Sequence, residues 1–155
     1  IDSGTVPTGL TLSPLGILSG TPTAAGIFTF TVRASNVAGF ITSTSITITT
    51  ALPPTITSFT PIAAREGTAV TITGTNFSGA GYSATNVTFG GVTAASFTIP
   101  SATQIIAIVP EGAASGSIQV TTIGGTASRS GFTYVLALPT ISAFTPTSAA
   151  VGDTV

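Results

Sequence analysis

Apolar and polar side chains alternate along short stretches of this chain. A period of two places alternate side chains on opposite faces of a strand. One strand is predicted over residues 28–34, with four apolar side chains on one face: Phe28, Phe30, Val32 and Ala34. The same pattern predicts strands around Ile46 and Ile48, Val70 and Ile72, Val87 and Phe89, Ile105 to Val109, and Ile118 and Val120. No segment has a helical period, so the sequence predicts an all-β chain.

Turn signals separate these segments at short intervals. Glycine, proline and asparagine supply the backbone conformations that tight turns require. The predicted turns are Gly20 to Pro22, Gly39, Gly74 to Asn76, Gly90 with Gly91, Pro110 to Gly112, and Gly124 with Gly125. Short strands at such spacing indicate a sandwich or a barrel.

An internal repeat divides the chain. Residues 54–70 align with residues 139–155 at an offset of 85 (139 − 54), and nine of the seventeen positions are identical. In the second copy these identical residues are Pro139, Thr140, Ile141, Phe144, Thr145, Pro146, Ala149, Gly152 and Val155. A period near 85 is the length of a small sandwich rather than of a solenoid repeat. The sequence therefore predicts tandem whole domains, with a new copy opening at Pro139.

Proline marks both predicted junctions between domains. Pro53 and Pro54 follow Leu52, and Pro139 follows Leu138. Proline restricts its own φ and the conformation of the preceding residue, so a short linker of this kind is stiff. We expect successive domains to be held at a set angle, as in a rod.

Composition excludes most catalytic and electrostatic functions. The 155 residues include no Cys, His, Lys, Met or Trp, and charged residues make up 5% of the chain. A zinc site needs thiolate or imidazole ligands, and a hydroxyl nucleophile needs a neighbouring base. The three cations are Arg33, Arg65 and Arg129, too few for binding to nucleic acid phosphates. We therefore predict a chain that is not an enzyme, without cofactor or metal and without a nucleic acid partner.

Membrane insertion is not predicted either. No apolar run approaches the roughly 18 to 20 residues that a spanning helix needs. The chain begins at Ile1 without the pattern of a secretion leader. We therefore expect it to be an internal segment of a longer protein.

Residues 54–135 resemble the IPT/TIG family of immunoglobulin-like domains. Its opening pattern is matched by Phe59, Pro61, Gly67, Val70, Ile72, Gly74, Asn76 and Phe77. Its next strand and tight turn are matched by Val87, Phe89, Gly90, Gly91 and Val92, and its late hairpin by Val109, Pro110, Gly116, Ile118 and Val120. The resemblance implies an immunoglobulin-like sandwich.

The first fifty residues resemble the later strands of a bacterial immunoglobulin module that is often described as cadherin-like. The matching positions include Pro7, Gly9, Leu10, Leu12, Gly16 to Pro22, Gly26, Phe28, Phe30 and Val32. The two resemblances and the repeat together imply tandem immunoglobulin-like β-sandwich domains. The expected boundaries are 1–50 for the partial module, 51–138 for the IPT/TIG domain, and 139–155 for the opening strands of a further repeat.

Few residues qualify as candidates for chemistry or binding. Cadherin-type calcium sites use clustered carboxylates, whereas the four acidic residues here are widely separated: Asp2, Glu66, Glu111 and Asp153. The remaining candidates are Glu66 with Glu111 as a hydrolytic pair, Asn76 and Asn86 as glycosylation acceptors, and Tyr82 and Tyr134 as sugar-stacking rings. Simpler explanations are available: a solvated surface charge for each glutamate, the family turn for Asn76, and ordinary core packing for Tyr134. We predict no catalytic, cofactor-binding or metal-binding residue.

The leading functional hypothesis is a structural repeat of an extracellular or cell-surface fibre whose partners are other copies of the chain. It rests on the low charge and on 32 threonines, because few charges protect the sheet edges from association. The alternative is a spacer or accessory module of a secreted carbohydrate-active enzyme. An adhesin module that binds a ligand such as a surface glycan is also open.

Overall fold

The computed structural model describes residues 1–143, 145, 146, 148, 150–152 and 154. All regular structure in this part of the chain is β-strand, as the alternating pattern predicts. Four residues of the predicted repeat or of the acidic set lie outside the described residues: Phe144, Ala149, Asp153 and Val155. The strands form two groups that share no sheet, and we name these groups the first and the second module.

The first module contains seven strands in three small sheets. The strands are β1 (Ser3–Gly4), β2 (Leu10–Leu12), β3 (Leu18–Gly20), β4 (Gly26–Thr31), β5 (Arg33–Asn36), β6 (Gly39–Thr42) and β7 (Ile46–Thr50). One sheet has the order β1-β4-β7, while β2 with β3 and β5 with β6 form separate ribbons. Among the described residues of this module, Phe30 on β4 is the one large hydrophobic side chain that is buried.

The second module contains eleven strands. They are β8 (Thr55–Thr60), β9 (Ala63–Ala64), β10 (Ala69–Thr75), β11 (Ser78–Gly79), β12 (Tyr82–Ser83), β13 (Asn86–Phe89), β14 (Val92–Thr93), β15 (Ser96–Ser101), β16 (Gln104–Ile108), β17 (Gly116–Thr122) and β18 (Gly125–Tyr134). One sheet has the order β15-β16-β10-β8 and the other β14-β13-β17-β18-β9, and β11 pairs with β12. All neighbouring strands are antiparallel except β9 and β18.

A single hydrophobic core joins the two large sheets of the second module. It is built from the apolar half of each alternating strand: Val70 and Ile72, Val87 and Phe89, Ile105 and Ala107, and Ile118 and Val120. Phe132 on β18 packs against Phe89, with ring centroids 5.0 Å apart, and against Phe59, with centroids 6.4 Å apart. The second module is therefore an immunoglobulin-like β-sandwich, which is the fold class predicted from the sequence.

Two local predictions differ from the structure. The strand predicted over residues 28–34 is divided between β4 and β5, so Ala34 is exposed on the β5–β6 ribbon instead of sharing a face with Phe30. Gly74 lies inside β10 rather than in a turn, at a shift in the β8–β10 register. A Cβ on Gly74 would clash with the Thr55 carbonyl and lie 2.6 Å from the Phe77 ring. This glycine is required by close packing, not by a turn.

The repeat that opens at Pro139 has no strand among its described residues. In the second module the opening strand β8 is paired with β10. Backbone features of the repeat do recur, because Gly67 and Gly152 both have positive φ and the Thr60–Pro61 and Thr145–Pro146 bonds are both cis.

Candidate functional site at the module junction

The linker between the two modules is held by Asn76 of the second module. Asn76 follows β10 with a φ of 58°, a left-handed conformation that asparagine tolerates better than most residues. This turn directs the side chain back along the chain, and Asn76 Nδ2 donates a hydrogen bond of 2.8 Å to the Pro53 carbonyl. Proline has no N–H of its own, and its carbonyl is thus the group available for anchoring the linker.

Two glycines bring the second module into close contact with the linker and with the first module. The β17–β18 turn approaches the linker so closely that a Cβ on Gly124 would clash with the Leu52 carbonyl and lie 3.1 Å from the Ala51 oxygen. A Cβ on Gly81, between β11 and β12, would lie 2.9 Å from Ile27 Cδ1 of the first module. The junction is therefore a set of close approaches made by three separate segments of the second module.

The two linkers leave the second module at opposite ends. The turn that contacts the first linker precedes β18, and β18 runs for ten residues before the second linker begins at Val135. At about 3.4 Å per residue, this strand separates the two ends by roughly 30 Å. The two linkers are thus attached at opposite ends of the second module.

The structure brings the loops of the two candidate catalytic carboxylates together. The loop of Glu66 pairs with the loop of Glu111 through hydrogen bonds of 3.0 Å from Gly67 N to Val109 O and from Val109 N to Thr68 O. Both glutamates are exposed. Neither carboxylate has a hydrogen bond or an ion pair with another described residue. The ion pair of the described chain joins Arg33 to Asp2 at 3.7 Å.

The two tyrosines do not form one binding surface. Tyr134 is half-buried against the core at the end of β18, as ordinary core packing predicts. Tyr82 is also half-buried rather than fully exposed, because its ring lies across Gly79 in the β11–β12 hairpin. This hairpin contacts the first module, so the two rings lie at opposite ends of the sandwich.

The glycosylation candidates have different surroundings. The Asn76 amide, to which a sugar would be attached, is already hydrogen bonded to the linker. Asn86 is partly exposed on β13, directly opposite Thr121 of β17. Among the described residues no group of three acidic side chains lies close enough to hold a metal ion, and no helix there is long and apolar enough to cross a membrane.

Comparison with known families accounts for both modules. The model of the IPT/TIG domain matches residues 54–134, a little over half of the chain. The chain belongs to the IPT/TIG family. The He_PIG family of Ig domains matches residues 1–51, so the predicted arrangement of an IPT/TIG domain after a bacterial immunoglobulin module is confirmed.

Solved structures that are similar to this chain come from Bacteroides and Prevotella species. They include SGBP-B from a xyloglucan utilization locus of Bacteroides uniformis, with 24% identity over 81% of this chain and 35% of that one and a TM-score of 0.47. A surface glycan-binding protein of Prevotella bryantii has 16% identity over 83% of this chain and 42% of its own, with a TM-score of 0.46. The chain thus spans less than half the length of these proteins. No curated protein matches it.

Sequence reasoning missed the contacts that position the IPT/TIG domain against the first module. Asn76 was recognised as a turn residue of the family, and Gly124 as a turn glycine. Neither pattern indicates that the side chain of Asn76 reaches the linker or that Gly124 lies against it. The available signal was a glycine pair, at Gly124 and Gly125, where one glycine with positive φ would have sufficed for the turn.

Proposed function

We propose that this chain is a non-catalytic spacer that holds neighbouring parts of a secreted or cell-surface protein at a set distance and angle. The observation that carries this proposal is the junction, at which Asn76, Gly81 and Gly124 lie close to the linker and the first module. A flexible tether would not require a hydrogen bond to Pro53 or a glycine pressed against Leu52. The end-to-end placement of the two linkers supports a role in spacing.

The proposal predicts that the two modules of the full chain behave as one body in solution. Residual dipolar couplings of the backbone amides should fit a single alignment tensor for β1–β7 and β8–β18. Replacing Asn76 by Gly preserves the left-handed turn but removes the hydrogen bond to Pro53, and Gly124→Ala forces the linker away. The double variant should require two different tensors, while the second module remains folded.

The neighbouring glycine provides the matched control. Gly125 has a φ of 132° but no atom within 4 Å of its Cβ position, so Gly125→Ala strains the same turn without touching the linker. This strain is about 1–3 kcal/mol and is local. Gly125→Ala should therefore destabilise the second module and leave the module orientation unchanged. Two independent tensors in the unmodified chain would refute the spacer proposal.

The other functions stay predictions. Self-association into a fibre needs an interface between copies, and the contacts described above lie within one chain. Binding of a surface glycan would have to use Tyr82 and Tyr134 separately, since they lie at opposite ends of the second module. The contacts at the junction favour the spacer over both.

A further inference from the structure

Exposed apolar side chains are concentrated at the end of the second module that faces away from the first. Leu136 is 77% exposed, Leu138 87%, Ile62 66% and Val135 45%. Together with Ala63 they form what we name the C-terminal patch. Among the other described residues of β8–β18 and their loops, Ile123 is the one large hydrophobic side chain that is similarly exposed.

The patch has the form of an interface. A groove between β9 and the second linker is lined by Ala63, Arg65, Val135, Leu136, Ala137, Leu138 and Thr140, the last of which already belongs to the repeat that opens at Pro139. Glu66 and Glu111 are on loops at the same end of the sandwich. Three of the four charged side chains of the second module are thus at the same end of the sandwich as this groove, and an apolar centre with a polar rim is typical of protein interfaces.

The chain itself indicates the occupant. Residues 139–155 repeat the opening of the second module, and the shared positive φ of Gly67 and Gly152 shows that the likeness extends to the backbone. A module that opens at Pro139 is tethered next to the patch. Its effective concentration there is about millimolar, so a small contact suffices. A separate partner would need an interface of roughly 1,000 Å².

We propose that the C-terminal patch is the docking surface for an IPT/TIG module that begins at Pro139, which makes the second junction a site of direct contact between modules, like the first. The inference rests on the proposed spacer function and extends it to a second joint. Leu136 and Leu138 are the residues that seat the next module, and the Arg65 side chain borders the contact.

The test uses residues 1–138 followed directly by a second copy of residues 54–138, so that Leu138 again precedes a proline. Residual dipolar couplings should fit one alignment tensor for the original and the appended module. The double variant Leu136→Ser and Leu138→Ser should separate the two tensors, and the rotational correlation time of the appended module should fall toward that of a single module. The double variant Leu15→Ser and Ile17→Ser is the matched control, since Leu15 is 88% exposed and Ile17 61% exposed in the first module.

The outcomes distinguish the inference from the proposed function. Independent motion of the appended module, with the first junction still rigid, would overturn the inference and leave the spacer function standing. Loss of rigidity at the first junction would refute the spacer function. A concentration-dependent dimer of the 155-residue chain that Leu136→Ser and Leu138→Ser abolish would assign the patch to a second copy and would equally overturn the inference.

Discussion

At the scale of single residues, the uncharged surface is held together by hydroxyl groups. Pairs of threonine side chains are hydrogen bonded across neighbouring strands, such as Thr55 with Thr75 at 2.8 Å and Thr121 with Thr126 at 3.0 Å. Such cross-strand pairs replace the Lys and Glu pairs of an ordinary sheet. Thr88 on β13 differs, because its Oγ1 is buried and has no hydrogen-bond partner among the described residues.

We predict that Thr88→Val stabilises the second module. Valine preserves the branched shape on β13 and removes a buried hydroxyl that lacks a partner, so the free energy of unfolding should rise by about 1 kcal/mol. The matched control is Thr121→Val on the adjacent strand, which removes the hydrogen bond to Thr126 and should lower stability. Denaturant unfolding of both variants measures the two effects. A loss of stability in Thr88→Val would mean that its hydroxyl has a partner in solution.

At the scale of strands, β18 links the two sheets through one aromatic side chain. Phe132 is 2% exposed and contacts both Phe59 and Phe89. We expect Phe132→Ala to lower the free energy of unfolding of the second module by about 3–5 kcal/mol, because it removes a buried ring and leaves a cavity.

Phe40 is the control for this prediction. It is 69% exposed on the β5–β6 ribbon, where Arg33 lies 5.2 Å from its ring centroid. Phe40→Ala removes the same side chain from a solvated position and should change stability by no more than about 1 kcal/mol. Chemical denaturation followed by circular dichroism compares the two variants. Equal effects would contradict the assignment of Phe132 to the core.

Strands with strict alternation could be predicted from the sequence, because the period of two directly reports which face is buried. Val87 with Phe89 and Ile118 with Val120 lie in the core as expected. Glycine was less informative, since Gly74 serves close packing within a strand whereas Gly67 serves a turn. The junction contacts were beyond prediction because Asn76 and Pro53 are brought together by the fold of the whole module, not by a local pattern.

At the scale of the whole molecule, the two modules differ in how much apolar surface they bury. The core of the second module contains sixteen buried hydrophobic residues. In the first module, Phe30 is the one large hydrophobic residue that is buried among those described. The first module also exposes Leu15, Val37, Phe40 and Ile41. Since apolar burial is the main stabilising term of folding, stability is concentrated in the second module.

We therefore predict unequal protection from hydrogen exchange. Amides of β10, β13, β16 and β17 should exchange only through global unfolding of the second module, while those of β1–β7 should exchange through local opening of much lower free energy. Hydrogen exchange of the full chain followed by mass spectrometry compares the two groups. Equal protection across both modules would show that contacts with the second module stabilise the first as strongly as a core of its own.

The parallel pairing of β9 with β18 determines how the second module would respond to a pulling force. A force applied through the two linkers draws the start of the sandwich one way and the end of β18 the other. The hydrogen bonds from Thr133 N to Ile62 O and from Val135 N to Ala64 O lie across this direction. They are therefore loaded in shear and must break together instead of opening one after another, which makes this short pair of strands a mechanical clamp.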